Sequence, residues 1–360
     1  MKFRLPVAPR NVVIRLPNWV GDILMTRRAV QGFRGLWSGA RFIGMVRLQH
    51  QQLVKRFDLF DDLLCAPEGA GLSRAISVRS AAAELRAFNA DVAVVLSSSF
   101  ESALTARFSG IPVRVGHDTD RRGILLTYPI PVRFDVHRAE SFNDIARFVG
   151  AHVPETLTPL VLTEADRGYV DHLFQTMAWE PGVRPVFLNP AAAKAARAWS
   201  SDKFRLLAEH LVSGAGAPPV VLHARPPFKN SPQWAERHGI AMVDDVSLPE
   251  LAALLERCEL YVGNDSGPAH LAAALGIRTV TIFGSSVPER TGPIAMAPVL
   301  SNGDAECHVA VTASYACAPC RERFFVDCPS PPTAEGQPPC LEAVTLEAVK
   351  AAIKKTGQTQ

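Results

Sequence analysis

The stretch "NVVIRLPNWVGDILM", Asn11–Met25, decides how the rest of the chain is read. A short apolar run, "NVVIRL", gives way to Pro17, Asn18 and Gly21, and apolar residues then continue at helical spacing from Ile23. A buried strand that ends in a loop and feeds a helix is the repeating unit of a parallel sheet covered on both faces. Asp22 stands where the helix begins. It is the one acid among the first 57 residues, which hold eleven lysines and arginines. Solvated faces rarely concentrate charge so unevenly.

The same alternation continues along the chain. Strands are expected at "RFIGMV", "DDLLCA", "DVAVVL" and "PVRVG", with helix-like segments such as Ile23–Arg34 and Ser80–Phe88 between them. The second half repeats the arrangement. Its expected strands are "PVFLNP", "PPVVLHA", "IAMV", "LYVGND" and "RTVTIFG", and its expected helices run near Ser201–Val212, Pro232–Arg237, Leu248–Arg257 and Pro268–Leu275. The pattern predicts an α/β fold of two Rossmann-like, doubly wound domains facing a central cleft. The expected boundaries are an N-terminal domain at 1–160, a linker helix and turn at 161–183 carried by "TEADRGYVDHLFQTMAW" and "EPGVRP", and a C-terminal domain at 184–360. Residues 284–340, rich in Gly, Pro, Ser and Cys, read as long loops. "LEAVTLEAVKAAIKK" reads as a terminal helix with lysines in its last turn.

A chain of 360 residues with 48% hydrophobic and 20% charged residues is too long for one ordinary core. No run reaches the roughly 18 uncharged apolar residues of a membrane-spanning helix, and "MKFRLPVAPR" has too short an apolar stretch for a signal peptide. A cytoplasmic protein is expected. The net charge of +3 is uneven, since residues 1–180 hold 22 basic and 18 acidic side chains. That surplus suits an anionic partner and equally serves solubility. No basic tract studded with aromatics points to nucleic acid.

In doubly wound sheets ligands bind at the carboxyl ends of the strands, so the residues just after strands are the candidates. After the first strand, Gly21 permits a tight turn or close approach of a ligand, and Asp22 presents a carboxylate at a helix start. Asp22 reads either as a first-turn helix acid or as a general base, and a general base needs a charged carboxylate within reach of the acceptor. After "LYVG", the segment "NDSGPAH" places backbone N–H groups of Ser266, Gly267 and Ala269 at a helix start, with Pro268 just inside it. Such a start suits a diphosphate. His270 could reach that phosphate or simply pack within its helix. After "VFLNP", Lys194 and Arg197 are loop cations that could hold a leaving phosphate or remain solvated. Seven cysteines and no secretory signal argue against a disulfide framework. Cys317, Cys320, Cys328 and Cys340 read as a reduced loop cluster or, with "CAPC" as its one close pair, as a four-thiolate zinc site. No G-x-G-x-x-G follows either first strand, which argues against a nicotinamide oxidoreductase.

Taken together, "RLPNWVGDILM", "ESALTARFSGIPVRVGHDTDRRGILLT", "RAWSSDKFRLLAEHL" and "CELYVGNDSGPAHLAAALGIRTVTIFGSSVPERTGP" resemble, in order and spacing, the blocks of the lipopolysaccharide heptosyltransferases of glycosyltransferase family 9. The likeness runs from about residue 11 to residue 350, and the "NWVGD" form is closer to the second heptosyltransferase type. The cysteine-bearing tail is similar to that type too. The resemblance implies a GT-B fold and metal-independent, inverting transfer of heptose from ADP-heptose to the inner core of lipid A, with no cofactor. It makes Asp22 the counterpart of the family's general base. Asp265, Ser266, Gly267 and His270 match the block that binds the donor, with Pro268 and Ala269 inside it and Lys194 and Arg197 on the phosphate side. Asn18, Trp19, Gly21, Arg121 and Arg122 become acceptor-side candidates. A lipid A core oligosaccharide as acceptor implies peripheral contact with the cytoplasmic face of the inner membrane, for which "RAVQGFRGLWSGARF" and "HDTDRRGILLT" are the expected stretches.

Two positions depart from the family pattern. Arg197 stands two residues before Trp199, where the family usually has Lys, and a planar guanidinium is not equivalent to an ammonium. The family also tends to place an acid after the next strand to hold the ribose, whereas "VLHARPPFKN" offers Arg225 and Lys229 and no acid. These departures keep two alternatives open: a transferase of this fold using another nucleotide sugar, and a non-catalytic relative that retains the nucleotide site.

Overall fold

The computed structural model describes residues 8–192, 197–213, 217–223, 228–294, 307–320, 328 and 337–357. The chain divides into two compact units, Met1–Val161 and Leu162–Gln360. In the first unit the strands are β1 (Asn11–Arg15), β2 (Arg41–Val46), β3 (Asp62–Cys65), β4 (Val92–Val95), β5 (Val113–His117) and β6 (Tyr128–Ile130). They form one sheet in the order β3-β2-β1-β4-β5-β6, parallel throughout. The second unit contains β7 (Val186–Asn189), β8 (Val220–His223), β9 (Ala241–Val243), β10 (Leu260–Asn264), β11 (Arg278–Ile282) and β12 (His308–Val311). Its sheet, in the order β12-β11-β10-β7-β8-β9, is also parallel.

Counted within each unit, both sheets have the order 3-2-1-4-5-6 of a dinucleotide-binding fold. The order reverses between the first and fourth strands, which opens a crevice there. In the first unit that point lies between β1 and β4, and in the second between β7 and β10. Apolar runs occupy these central strands because both faces are covered: Val12, Ile14, Val92, Val94, Val186, Leu188, Leu260 and Val262 are all fully buried. Each such side chain contributes about 1.5–3 kcal/mol of transfer free energy. Gly263 serves a different need. A Cβ there would sit 2.6 Å from the Tyr261 hydroxyl and 2.8 Å from the Asn189 carbonyl, so only glycine lets β10 lie this close to the end of β7.

Several expectations are corrected. Helix Ile23–Arg34 is two helices, Val20–Met25 and Arg27–Leu36, divided at Thr26, whose hydroxyl turns back to donate to the Ile23 carbonyl at 2.7 Å. Ser80–Phe88 is the last part of a longer helix, Gly71–Ala87. The region 284–340 also contains regular structure, helix Pro288–Thr291 and edge strand β12. "LEAVTLEAVKAAIKK" is broken into Pro339–Glu342 and Leu346–Lys355. Thr345 caps the second of these by accepting from the Ala348 amide at 3.1 Å. The helix Glu164–Thr176, started by the Thr163–Asp166 capping box, docks on helix Leu248–Glu256 within the second unit. Arg167 meets Glu256 at 3.1 Å, and Arg257 meets Asp171 at 2.8 Å. Among the described residues, no helix is long and apolar enough to cross a membrane.

Candidate active site

In the first unit the backbone leaves β1 at Arg15 and turns through Leu16–Trp19 beside the end of β4, where the Leu96 amide donates to the Arg15 carbonyl at 2.9 Å. Arg15 is buried and ties this turn together. Its guanidinium donates to the Leu16 carbonyl and, at 2.7 Å, to Asn18 Oδ1. Burial pushes Arg15 down to about 10, so it keeps its charge at neutral pH. Trp19 is the residue before the helix and is 54% exposed. Gly21 lies in the helix, buried and outside the positive-φ glycines, and the turn itself is made by Leu16–Trp19, which leaves close approach of a ligand as the other use expected of it.

Asp22 occupies the first turn of helix Val20–Met25. One carboxylate oxygen, Oδ1, accepts from Arg138 Nε at 3.1 Å. The Asp22 side chain keeps 20% of its surface exposed. Arg138 begins helix Arg138–Phe148, which His137 caps by accepting the Ala139 amide at 3.1 Å. Nothing in the sequence joins residues 116 positions apart, which is why Arg138 escaped the motif reading.

Arg121 and Arg122, paired in sequence as acceptor-side candidates, separate in the structure. Arg121 is exposed and left-handed, with φ of 57°. Arg122 is fully buried. It donates to the carbonyls of His117 at 2.8 Å, Ser99 at 3.2 Å and Ser97, and so holds the loops after β4 and β5 against each other. Its side chain thus holds these loops and lies beneath the surface that Arg121 faces.

In the second unit Asn189 ends β7 fully buried. Its amide nitrogen donates to the Tyr261 hydroxyl at 2.8 Å and to Ser266 Oγ at 3.2 Å. His223 Nδ1 lies 3.0 Å from Asn189 Oδ1. An amide oxygen only accepts, so the proton is on Nδ1. Asn264 at the end of β10 accepts the Trp199 amide at 2.9 Å and donates to the Pro190 carbonyl at 2.8 Å, which fixes the loop after β7 beside the loop after β10. Trp199 is buried and anchors that loop from the other side, donating from Nε1 to the Val344 carbonyl at 2.9 Å.

Asp265 is buried, accepts from the Ser286 hydroxyl, and faces Arg197 Nη1 at 3.4 Å. Ser266 precedes helix Gly267–Ala274, in which Pro268 occupies the first turn. The amides of Ser266 and Gly267 stand where a helix offers N–H groups no internal acceptor. Ala269 differs from its expected role, since its amide donates to the Ser266 carbonyl at 3.1 Å. His270 is buried near His308 of β12, and burial followed by the His270 charge pushes His308 down to about 4. Lys194 and Arg225 lie outside the described residues, as does the side chain of Lys229.

Cys317, Cys320, Cys328 and Cys340 are all unbridged. Burial raises the Cys340 thiol, and the neighbouring thiols of Cys328, Cys317 and Cys320 raise it further. Cys320 Sγ points to the Ser285 carbonyl at 3.9 Å. Among the described residues, no three His, Cys, Asp or Glu side chains are grouped closely enough to hold a metal ion.

Residues 78–316 match the family model described as glycosyltransferase family 9 (heptosyltransferase). The chain is 25% identical over 303 residues to lipopolysaccharide heptosyltransferase 2 of Escherichia coli K12, covering 79% of this chain and 86% of that protein. The solved structure of E. coli ADP-heptose LPS heptosyltransferase II superposes with a TM-score of 0.72 at 20% identity, over 97% of this chain and all of that one. The E. coli heptosyltransferase WaaC with ADP gives 0.70 at 16% identity, over 96% and 99%. These likenesses show the fold, the GT-B arrangement of two Rossmann-like domains.

Proposed function

The chain belongs to glycosyltransferase family 9 and is a glycosyltransferase, and from that premise we propose that it transfers heptose, with inversion and without a metal, from ADP-L-glycero-D-manno-heptose to a heptosyl-Kdo-lipid A type acceptor of the lipopolysaccharide inner core. The observation that carries this reading is positional: Asp22 and the 265–270 block each follow a central strand at the switch point of its own sheet. In the reaction, Asp22 takes the proton of an acceptor hydroxyl as that oxygen bonds to the anomeric carbon. The bond from that carbon to the ADP oxygen breaks on the opposite face. The charge leaving with ADP is received by the amides of Ser266 and Gly267 and by Arg197, with Lys194 sharing it. Arg15 and Arg122, charged although buried, give the acceptor side a positive field suited to phosphates and acidic sugars. The E. coli relatives named for ADP-heptose and solved with ADP support the choice of donor.

Calorimetric titration with ADP, UDP and GDP, with and without magnesium, tests the donor. Selective, magnesium-independent ADP binding is expected. Preference for UDP or GDP would contradict the ADP donor and favour the second reading, another nucleotide sugar on the same fold, for which the lack of an acid in "VLHARPPFKN" speaks.

Peripheral contact with the membrane carrying the acceptor belongs to the same proposal. Of the two stretches expected to make it, "RAVQGFRGLWSGARF" packs its Val30, Phe33, Trp37 and Phe42 inward and is set aside. Support comes from the loops at the carboxyl ends of β5 and β6, the end of the sheet where Asp22 stands, in which Ile124 is 86% exposed and Phe134 68%. Flotation with vesicles of inner-membrane lipids should recover the wild type and lose the double variant I124S/F134S; equal recovery of the two would remove these loops from the proposal.

A further inference from the structure

We infer that Arg138 is a positioning residue for Asp22, an inference that rests on the reading of Asp22 as the general base. Among the described residues the contact is single-point: Nε donates to Oδ1 at 3.1 Å, and Oδ2 is left for the acceptor hydroxyl. A carboxylate held through one oxygen by a charge-assisted bond has its plane fixed without losing the lone pairs that must take the proton. The guanidinium is itself fixed. Its backbone is the first residue of a capped helix, and its Cζ lies over the Phe142 ring one turn on, 5.2 Å from the centroid. The Arg138 side chain is 35% exposed, and an ordinary pair of this exposure adds little to stability. Its consequence therefore lies in orientation.

Other charges on the two helices packed against Val20–Met25 are engaged elsewhere. On helix Arg27–Leu36, Arg27 is buried over the Phe57 ring and donates to the Thr158 carbonyl, Arg28 donates to the Pro154 carbonyl at 2.7 Å, and Arg34 pairs with Asp61 at 2.7 Å. On helix Arg138–Phe148, Glu140 and Asp144 are both held by Arg147, at 2.8 and 3.1 Å. His117 is neutral, pushed to about 4 by burial, then by Arg122 and Arg138. Among the described residues on these elements, Arg138 is the cation that reaches Asp22. It comes from the last helix of the first unit and holds a residue of the first helix in place.

Steady-state transfer by R138Q and R138K, alongside D22N, tests this. R138Q should lower kcat about 10- to 100-fold, keep KM for donor and acceptor within about twofold, and melt within a few degrees of the wild type. R138K, which retains a charged donor, should recover most of that loss. A kcat for R138Q within twofold of wild type, a loss that tracks melting or KM, or an R138K no better than R138Q would each overturn the inference. If D22N turns over like the wild type, the base reading itself fails; an inactive D22N beside an unimpaired R138Q removes the positioning role alone.

Discussion

At the scale of single residues, the sequence makes Asp22 conspicuous because an isolated acid among eleven cations is a chemical anomaly that needs no structure to be seen. Arg122 shows the limit of such reading. Its neighbour Arg121 points outward, whereas Arg122 is consumed by three carbonyls, and two adjacent arginines in a loop carry no signal of which one turns in. His117 is a second case, a buried imidazole with consequences for stability. Its value of about 4 in the native state lies below the ordinary 6.5, so the unfolded chain binds the proton more readily between those values. Stability is complete above about pH 6.5 and is lost as pH falls toward 4, by about 2 kcal/mol at pH 5 from this one group. His308 acts in the same direction in the second unit. Thermal unfolding at pH 7 and pH 5 should therefore show a smaller drop in Tm for H117Q than for the wild type; equal drops would mean that His117 takes up its proton in the native state.

Among secondary-structure elements, legibility followed burial. The central strands are runs of Val, Leu and Ile because both faces are covered, and these, with the edge strands β3 and β9, are the ten visible in the sequence of the twelve among the described residues. The two that are not, β6 and β12, are edge strands. "YPI" carries a proline, which an edge tolerates because one side of its ladder is unpaired, and "HVAV" sits in a region whose composition suggests only loop. Helix ends were legible where a capping residue coincides with a change of periodicity, as at Ser247 and Thr163. They were obscured at Thr26 and Thr345, where apolar spacing continues across a break. Helix Gly267–Ala274 was legible to within one residue at each end because "GNDSGP" combines a close-packing glycine, a turn and a first-turn proline. Its supporting polar set, Asn189, His223 and Ser286, is assembled from three other loops or strand ends, and no local pattern announces it.

For the whole molecule, doubling of one architecture is the central fact. Two sheets of the same strand order place Asp22 at one switch point and the start of helix Gly267–Ala274 at the other. The order itself was not readable from the sequence, since parallel strands of similar composition differ only in which neighbours they choose. The presence of two such units was readable, because the strand–loop–helix alternation restarts at "PVFLNP". The proposed glycosyl transfer asks Asp22 to act as its base, and the account stands or falls on that residue. The most direct test is heptose transfer from ADP-heptose to a heptosyl-Kdo-lipid A acceptor by wild type and D22N, with ADP affinity measured on both. The account predicts transfer by the wild type, a loss of about 10²- to 10⁴-fold in D22N, the range a general base commands, and nearly equal ADP affinities. Undiminished turnover by D22N would contradict it.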